Sequence, residues 1–465
     1  MVPLQPLSPK VGHASSRDWL YPALILINTL NGPGFVVLAE AGRQAGALGA
    51  VLLVAAFALL ATFSARRACA VAREAEAHKI EGGGADLAGP CRTLWGGRGA
   101  RVAAAACATA LLACAVAQIV LCVQLADALE EALVGRRCGV VVRLPSLELT
   151  GKAALFYAGC RPAAEPLPAP ALEASVGVLL TLALARLARR AEGPRTQGVG
   201  FACFCLGAWR WGAYLRRETV ADRAVAWLGP SPLAAAPAVC FNFACVLAVP
   251  PLALRGRAEA AARGAGAACL FMALAYAAVA VLGAGGAPTA PSADALLATG
   301  RASDLAAVFF LFVSQLAAIP TYLAGADGLI KAHLVAADAR RADALAAAAA
   351  WGLAIAAHES ELFVSIVDWT SLLLLGFTNF SLPLVLDVAW GHPGLAGEAC
   401  PVALRRLSRA LASLTVAGFA ALVCREAGAP WFVVAAVAGA AAGSPLPAGR
   451  MPRSDSRDSV GDERA

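Results

Sequence analysis

Three polar residues, Asn28, Thr29 and Asn31, run directly into Gly32-Pro33-Gly34 in the middle of an apolar segment that extends from Leu20 to Leu38. Amides and a hydroxyl are neutral donors and acceptors, suited to holding a small polar solute rather than to making or breaking bonds. Glycine is the weakest ordinary helix former and proline removes a backbone donor, so a helix is expected to stop here. In lipid such a stop is tolerated where the freed N–H and C=O groups line a protein-enclosed cavity. The N-terminus of the resumed helix offers N–H groups to an anionic group, and the freed carbonyls suit a cation. Asn28, Thr29, Asn31, Gly32, Pro33 and Gly34 are therefore candidate substrate-binding residues. The alternative reading is a Gly/Pro kink that serves only helix packing, since both residues are common in membrane helices.

A second polar point lies in the run Pro237 to Cys245, followed by Pro250-Pro251. Asn242 is its one strongly polar side chain, with Phe241 and Phe243 on either side, a suitable lining for a small amphiphilic ligand. In many folds built from two inverted halves, broken helices occupy corresponding positions of the halves. With five spans in each half, the partner of the first span is the sixth, which contains Phe241, Asn242 and Phe243. Asn242 reads equally well as helix-helix glue.

The elements that must position these residues are membrane helices. Apolar residues make up 59% of the chain and mean hydropathy is +0.68, so a polytopic membrane protein is expected. Apolar runs set against polar breaks predict about 11 spans, near 19–43, 47–72, 101–126, 173–189, 197–215, 233–254, 264–284, 303–327, 344–358, 362–388 and 407–425. A further Ala- and Gly-rich stretch, 430–443, is short for a span. The chain thus divides into an N-terminal segment, 1–18, a single transmembrane domain, 19–445, and a polar tail, 446–465, whose composition predicts disorder. Residues before the first span contain no apolar core or cleavage site of a signal peptide, so the first helix is expected to direct insertion.

The net charge of +7 does not point to nucleic acid, because Lys and Arg sit in short clusters between apolar runs. Their distribution favours a cytoplasmic N-terminus, with the loop from Arg66 to Arg101 contributing most. Of the 14 cysteines, most fall inside apolar segments, where Cys packs as a small hydrophobe, and no Cys/His spacing suggests zinc. Cys138 and Cys160 share a polar loop on the outer side and are a candidate disulfide; two free thiols are the alternative. No metal or other cofactor is expected. Gln118 and Gln124 can hydrogen-bond across helices. Asp304, Asp327, Asp368 and Asp387 lie at or near span ends, where solvated caps are the plain reading.

The run Asn28 to Phe35, followed by Ala39-Glu40-Ala41-Gly42-Arg43-Gln44-Ala45-Gly46, resembles the first-helix signature of the amino acid/auxin permease family, within the amino acid-polyamine-organocation superfamily. Weaker matches follow in order: Ala85-Asp86-Leu87 with Trp95-Gly96, Phe241 and Phe243, Tyr276 and Gly283, and Phe380, Leu382 and Pro383. The resemblance implies eleven helices in a five-plus-five inverted repeat, discontinuous in helices 1 and 6. It also implies a secondary active transporter, a symporter moving neutral amino acids by alternating access with protons or sodium. On that basis the first-span break would hold the substrate carboxylate and amino group, and span six would shape the side-chain pocket.

In sodium-coupled members a hydroxyl of the eighth helix joins first-helix groups at the cation. Here Asn28, Ser314 and Thr321 are the corresponding candidates, while Ala318 stands where the family has Thr. Ala39 replaces a usual Pro, and Glu40 adds a carboxylate that is either a coupling-proton site or one half of an ion pair with Arg43. The implied partners are an amino acid and the lipid bilayer of a plasma, vacuolar or endosomal membrane. A non-transporting amino-acid receptor or scaffold on the same fold is the rival reading. A membrane-embedded enzyme would require a His or acidic pair within the membrane, and the sequence offers none.

Overall fold

The computed structural model describes residues 18–32, 34–78, 86–135, 137–143, 156–161, 171–191, 193–218, 225–255, 258–285, 301–334, 339–357, 367–391 and 402–426. The 1–17 segment, the 430–443 stretch, the C-terminal tail, Pro33, His358 and His392 fall outside these residues. Among the described residues the fold is helical apart from one small sheet. Seven helical stretches among the described residues are long and apolar enough to cross a bilayer, and shorter or more polar helices complete the bundle.

The first span is broken as the residues demand. Helix α1 (Leu20–Leu30) stops at Asn31, whose ψ of 73° leaves the helical region, and α2 (Gly34–Ala77) resumes beyond it. The second span follows within α2 after a sharp bend at Gly46, which has φ of +76°. Only glycine adopts that angle without strain. The bend is also crowded, because a Cβ on Gly46 would meet Leu228 and Gly229 of the segment that runs into span six.

Helix α3 (Ala88–Val134) begins with a short arm, bends at Gly96 (φ +69°) and continues as span three. Asp86 starts it, accepting from the N–H groups of Ala88 and Gly89 at 2.8 Å each. After α3 the chain forms β1 (Arg137–Arg143), β2 (Phe156–Arg161) and β3 (Ala171–Ser175), an antiparallel sheet in the order β2-β1-β3. The polar composition of this region predicts a loop, whereas its strands pair into a sheet. The register sets Cys138 opposite Cys160, and Cys138 is disulfide-bonded. The sheet delivers the chain to α4 (Val176–Arg190), where Asp127 of α3 accepts from Ser175 Oγ at 3.0 Å and from the Gly177 N–H at 3.1 Å.

Helix α5 (Pro194–Glu218) completes the first half. The second half repeats the pattern, opening on a broken span. Helix α6 (Ala236–Asn242) ends at Phe243, and α7 (Val249–Arg255) begins after an irregular stretch. Helix α8 (Ala258–Ala284) is span seven. Span eight is α9 (Ala302–Leu316) and α10 (Ile319–Leu329), meeting at Ala317 and Ala318, with a wide π-helical turn, Ile330–Leu334, at its end. Helix α11 (Ala339–Ala357), α12 (Val367–Ala389) and α13 (Val402–Glu426) follow. Most of α12 is itself π-helical, over Thr370–Ser381, an uncommon widening that often accompanies function.

Small residues allow the close packing. A Cβ on Gly42 would overlap the Ala280 carbonyl, and one on Gly283 would overlap the Ala39 carbonyl, so the first span and α8 touch backbone to backbone. Ala39 therefore lies in that contact, where a bulkier side chain on α8 has no room. Three of the span-end aspartates differ from the expected solvated caps, and one of them, Asp327, is buried and paired with Lys331. Asp387 is fully buried and paired with the buried Arg67, linking α12 to α2. Asp304 is buried too, 3.2 Å from the half-exposed Arg217 of α5.

Candidate functional site

The break in the first span is stabilised by side chains from five other helices, α3, α5, α8, α9 and α10. Helix α1 frees its last carbonyls because no turn follows to accept them. The Thr29 carbonyl accepts from Tyr322 Oη of α10 at 2.6 Å. The Leu30 carbonyl accepts from the Tyr276 hydroxyl of α8, and the Asn31 carbonyl from Gln118 Nε2 of α3 at 3.1 Å. These three freed carbonyls thus each receive a side-chain donor. Thr29 Oγ1 turns back on its own helix, donating to the Leu26 carbonyl at 2.9 Å.

The two asparagines reach outwards from α1. Asn28 Nδ2 donates to the carbonyl and to Oε1 of Gln197 in α5, at 3.0 and 2.6 Å. Gly200, one turn further along α5, makes room for it, since a Cβ there would stand 3.1 Å from Asn28 Nδ2 and 3.0 Å from the Ala317 methyl. Asn31 Nδ2 donates to Ser314 Oγ at 2.8 Å, and Asn31 Oδ1 accepts from Gln315 Nε2 at 3.0 Å. All five residues, Asn28, Asn31, Gln118, Ser314 and Gln315, are at most 1% exposed.

The two broken spans face each other. A Cβ on Gly32 would lie 3.8 Å from Phe241 Cε1 and 3.9 Å from Gln118 Nε2, ordinary contact distances that would admit a methyl group. Besides donating to Leu30, the Tyr276 hydroxyl stands 3.4 Å from the Asn242 carbonyl, so one side chain touches both breaks. Its ring packs edge-on against Phe243 with centroids 5.5 Å apart and tilted against Phe35 at 6.3 Å. Asn242 is 1% exposed, and neither Nδ2 nor Oδ1 has a hydrogen-bond partner among the described residues. The break in span six is held from α12, where Asn379 Oδ1 accepts from the Leu247 N–H at 3.3 Å.

Of the residues singled out in the sequence, Asn28, Thr29, Asn31, Gly32, Phe241, Asn242 and Phe243 gather around the facing breaks. Gly34 opens α2, whose first-turn N–H groups have no acceptors within the helix. Ser314 joins them through Asn31, but its oxygen is engaged, donating to the Leu311 carbonyl at 2.7 Å as well as accepting from Asn31. Thr321, half-buried on α10, is not hydrogen-bonded to α1 among the described residues. Glu40 forms an ion pair with Arg43 at 2.6 Å and accepts from Gln44 at 3.0 Å, well along α2 from the break.

Gln197, Gln315 and Tyr322 are not among the candidates drawn from the sequence, whereas Gln118, able to hydrogen-bond across helices, does so here. Their signal was present but weak. The chain has only five Tyr, and two of them, Tyr276 and Tyr322, sit deep in apolar runs where a hydroxyl needs a partner. Among the described residues no three His, Cys, Asp or Glu come together as a metal-binding group.

No protein-family model matches the chain, and no curated protein does. Solved structures do. The chain is similar to the crystal structure of a manganese transporter of Eremococcus coleocola, determined in complex with an aromatic bis-isothiourea substituted compound. That likeness has a TM-score of 0.58 at 13% identity and covers 93% of this chain and 95% of the other. A His-to-Ala mutant of the same transporter matches with a TM-score of 0.55 at 12% identity, over 91% and 92% of the two chains. At such identity the likeness concerns the fold. This chain accordingly shares the fold of that manganese transporter, with Tyr276 in contact with both of its broken helices.

Proposed function

We propose that the protein is a secondary active transporter that moves neutral amino acids across a membrane by alternating access, coupled to protons or sodium. The observation that carries this reading is the set of buried, unpartnered amide atoms at two facing helix breaks, above all both polar atoms of Asn242. Burying such groups without partners costs roughly 1–3 kcal/mol each, and a polar ligand that enters the space beside Gly32 offsets that cost. A zwitterion suits the surroundings: first-turn N–H groups of α2 face its carboxylate, amide oxygens face its amine, and Phe241, Phe243 and Tyr276 supply apolar walls. Manganese, the solute named for the solved neighbours, suits carboxylate, carbonyl and water ligands, and no carboxylate is among the side chains bonded at this break.

The test is uptake of labelled L-alanine, L-leucine and L-glutamine into proteoliposomes under an imposed proton or sodium gradient. Gradient-dependent uptake that Gly32→Leu abolishes supports transport at the break, because the leucine side chain must fill the space next to Phe241 and Gln118. Saturable binding without flux instead identifies a receptor on a transporter fold.

A further inference from the structure

Hydrogen-bond logic at the break fixes which way its amides point, and the outcome is one-sided. Ser314 has a single hydroxyl proton and gives it to the Leu311 carbonyl, so it must accept from Asn31. Asn31 therefore turns Nδ2 towards Ser314 and Oδ1 towards Gln315, and Gln315 must use Nε2 to meet that oxygen. Gln118 is fixed in the same way, since its partner, the Asn31 carbonyl, can only accept. Each glutamine thus turns its Nε2 to Asn31 and presents its oxygen elsewhere. Gln118 Oε1 and Gln315 Oε1 are both buried without a hydrogen-bond partner among the described residues, and so is Asn28 Oδ1, one helical turn before Asn31.

Orphaned acceptors on the two glutamines bonded to Asn31, with a third on Asn28, call for a ligand that brings donors. The carbonyls of Thr29, Leu30 and Asn31 already accept from Tyr322, Tyr276 and Gln118, and no carboxylate is among the side chains bonded at the break to neutralise a metal cation. A primary ammonium group needs only three acceptors for its three N–H bonds. Resting on the transport reading above, we infer that Gln118 and Gln315 are specificity residues, whose side-chain oxygens recognise the ammonium group of the solute and reject analogues that lack it. This assigns the ammonium end to α3 and α9 side chains rather than to the carbonyls freed by the break.

The experiment compares two amino acids with their 2-hydroxy analogues, L-alanine with L-lactate and L-leucine with L-2-hydroxyisocaproate, in proteoliposomes of the full chain. For wild type, each amino acid is expected to inhibit labelled uptake at least about tenfold better than its hydroxy analogue, as a charge-assisted hydrogen bond lost at a buried acceptor would give. In Gln118→Leu and Gln315→Leu the KM for the amino acid rises about tenfold while inhibition by the hydroxy acid stays within about twofold, so the discrimination collapses. A purely structural role weakens both classes alike and leaves their ratio intact, which overturns the inference while the transport reading stands. If a variant does not fold, the wild-type comparison still decides: a hydroxy acid that competes as well as its amino acid overturns the assignment. Failure of the wild type to take up either amino acid counts against the transport reading itself.

Discussion

Tyr322 and Tyr276 show how single residues keep an unwound segment in place. Each hydroxyl serves a carbonyl that no helical N–H can reach, at Thr29 and at Leu30. Tyr322→Phe keeps the ring and removes only the donor, leaving a buried carbonyl short of a partner. A loss of about 1–3 kcal/mol is expected, visible as a lower melting temperature of the detergent-solubilised protein. An unchanged melting temperature would mean that the carbonyl finds another donor. The two Asn of the break were legible as polar residues inside an apolar run, and so was Asn242. Their partners were not, because Gln118, Gln197 and Gln315 stand 87 to 284 positions away from the residues they bond, and sequence spacing carries no sign of that pairing.

Among the elements, the helix boundaries were the most readable part of the chain. The Asn-Gly-Pro-Gly stop at the end of α1 and the span-length apolar runs follow from propensity and hydropathy, and the described helices lie close to the expected spans. The sheet β1–β3 and the π-helical stretch of α12 were not readable. The first depends on pairing between strands, and the second on how α12 packs beside span six. Close helix contact gives a sharp prediction: Gly283→Ala should prevent recovery of monodisperse protein, since its Cβ overlaps the Ala39 carbonyl, whereas Gly418→Ala, with open space around it, should have no effect. Size-exclusion profiles of the two variants compare them directly.

The buried Arg67–Asp387 pair between α2 and α12 offers a second test at the same scale. Removing one partner leaves an uncompensated buried charge, which costs roughly 3–5 kcal/mol, while replacing both with apolar residues of similar size restores much of it. Arg67→Met should therefore melt well below wild type, and Arg67→Met with Asp387→Leu above that single variant. Equal melting of the single and double variants would show that the pair is not coupled.

For the whole molecule, the disulfide at Cys138 and the charge bias of the loops bear on one orientation. Disulfides persist on the oxidising side of a membrane, and a sheet that follows three spans lies opposite the N-terminus. If the N-terminus is cytoplasmic, an impermeant reductant added to intact cells must free the Cys138 thiol for maleimide labelling. Labelling that requires lysis would reverse the orientation. The claim that the two facing breaks form the route of a solute is tested most directly by counterflow in proteoliposomes, which needs no knowledge of the coupling ion. Vesicles preloaded with unlabelled L-alanine, L-leucine or L-glutamine are diluted into trace label of the same amino acid. The account predicts transient accumulation of label for at least one of the three, lost in Asn242→Leu and kept in Gly418→Ala. No accumulation of any of them, or accumulation undiminished in Asn242→Leu, would contradict it.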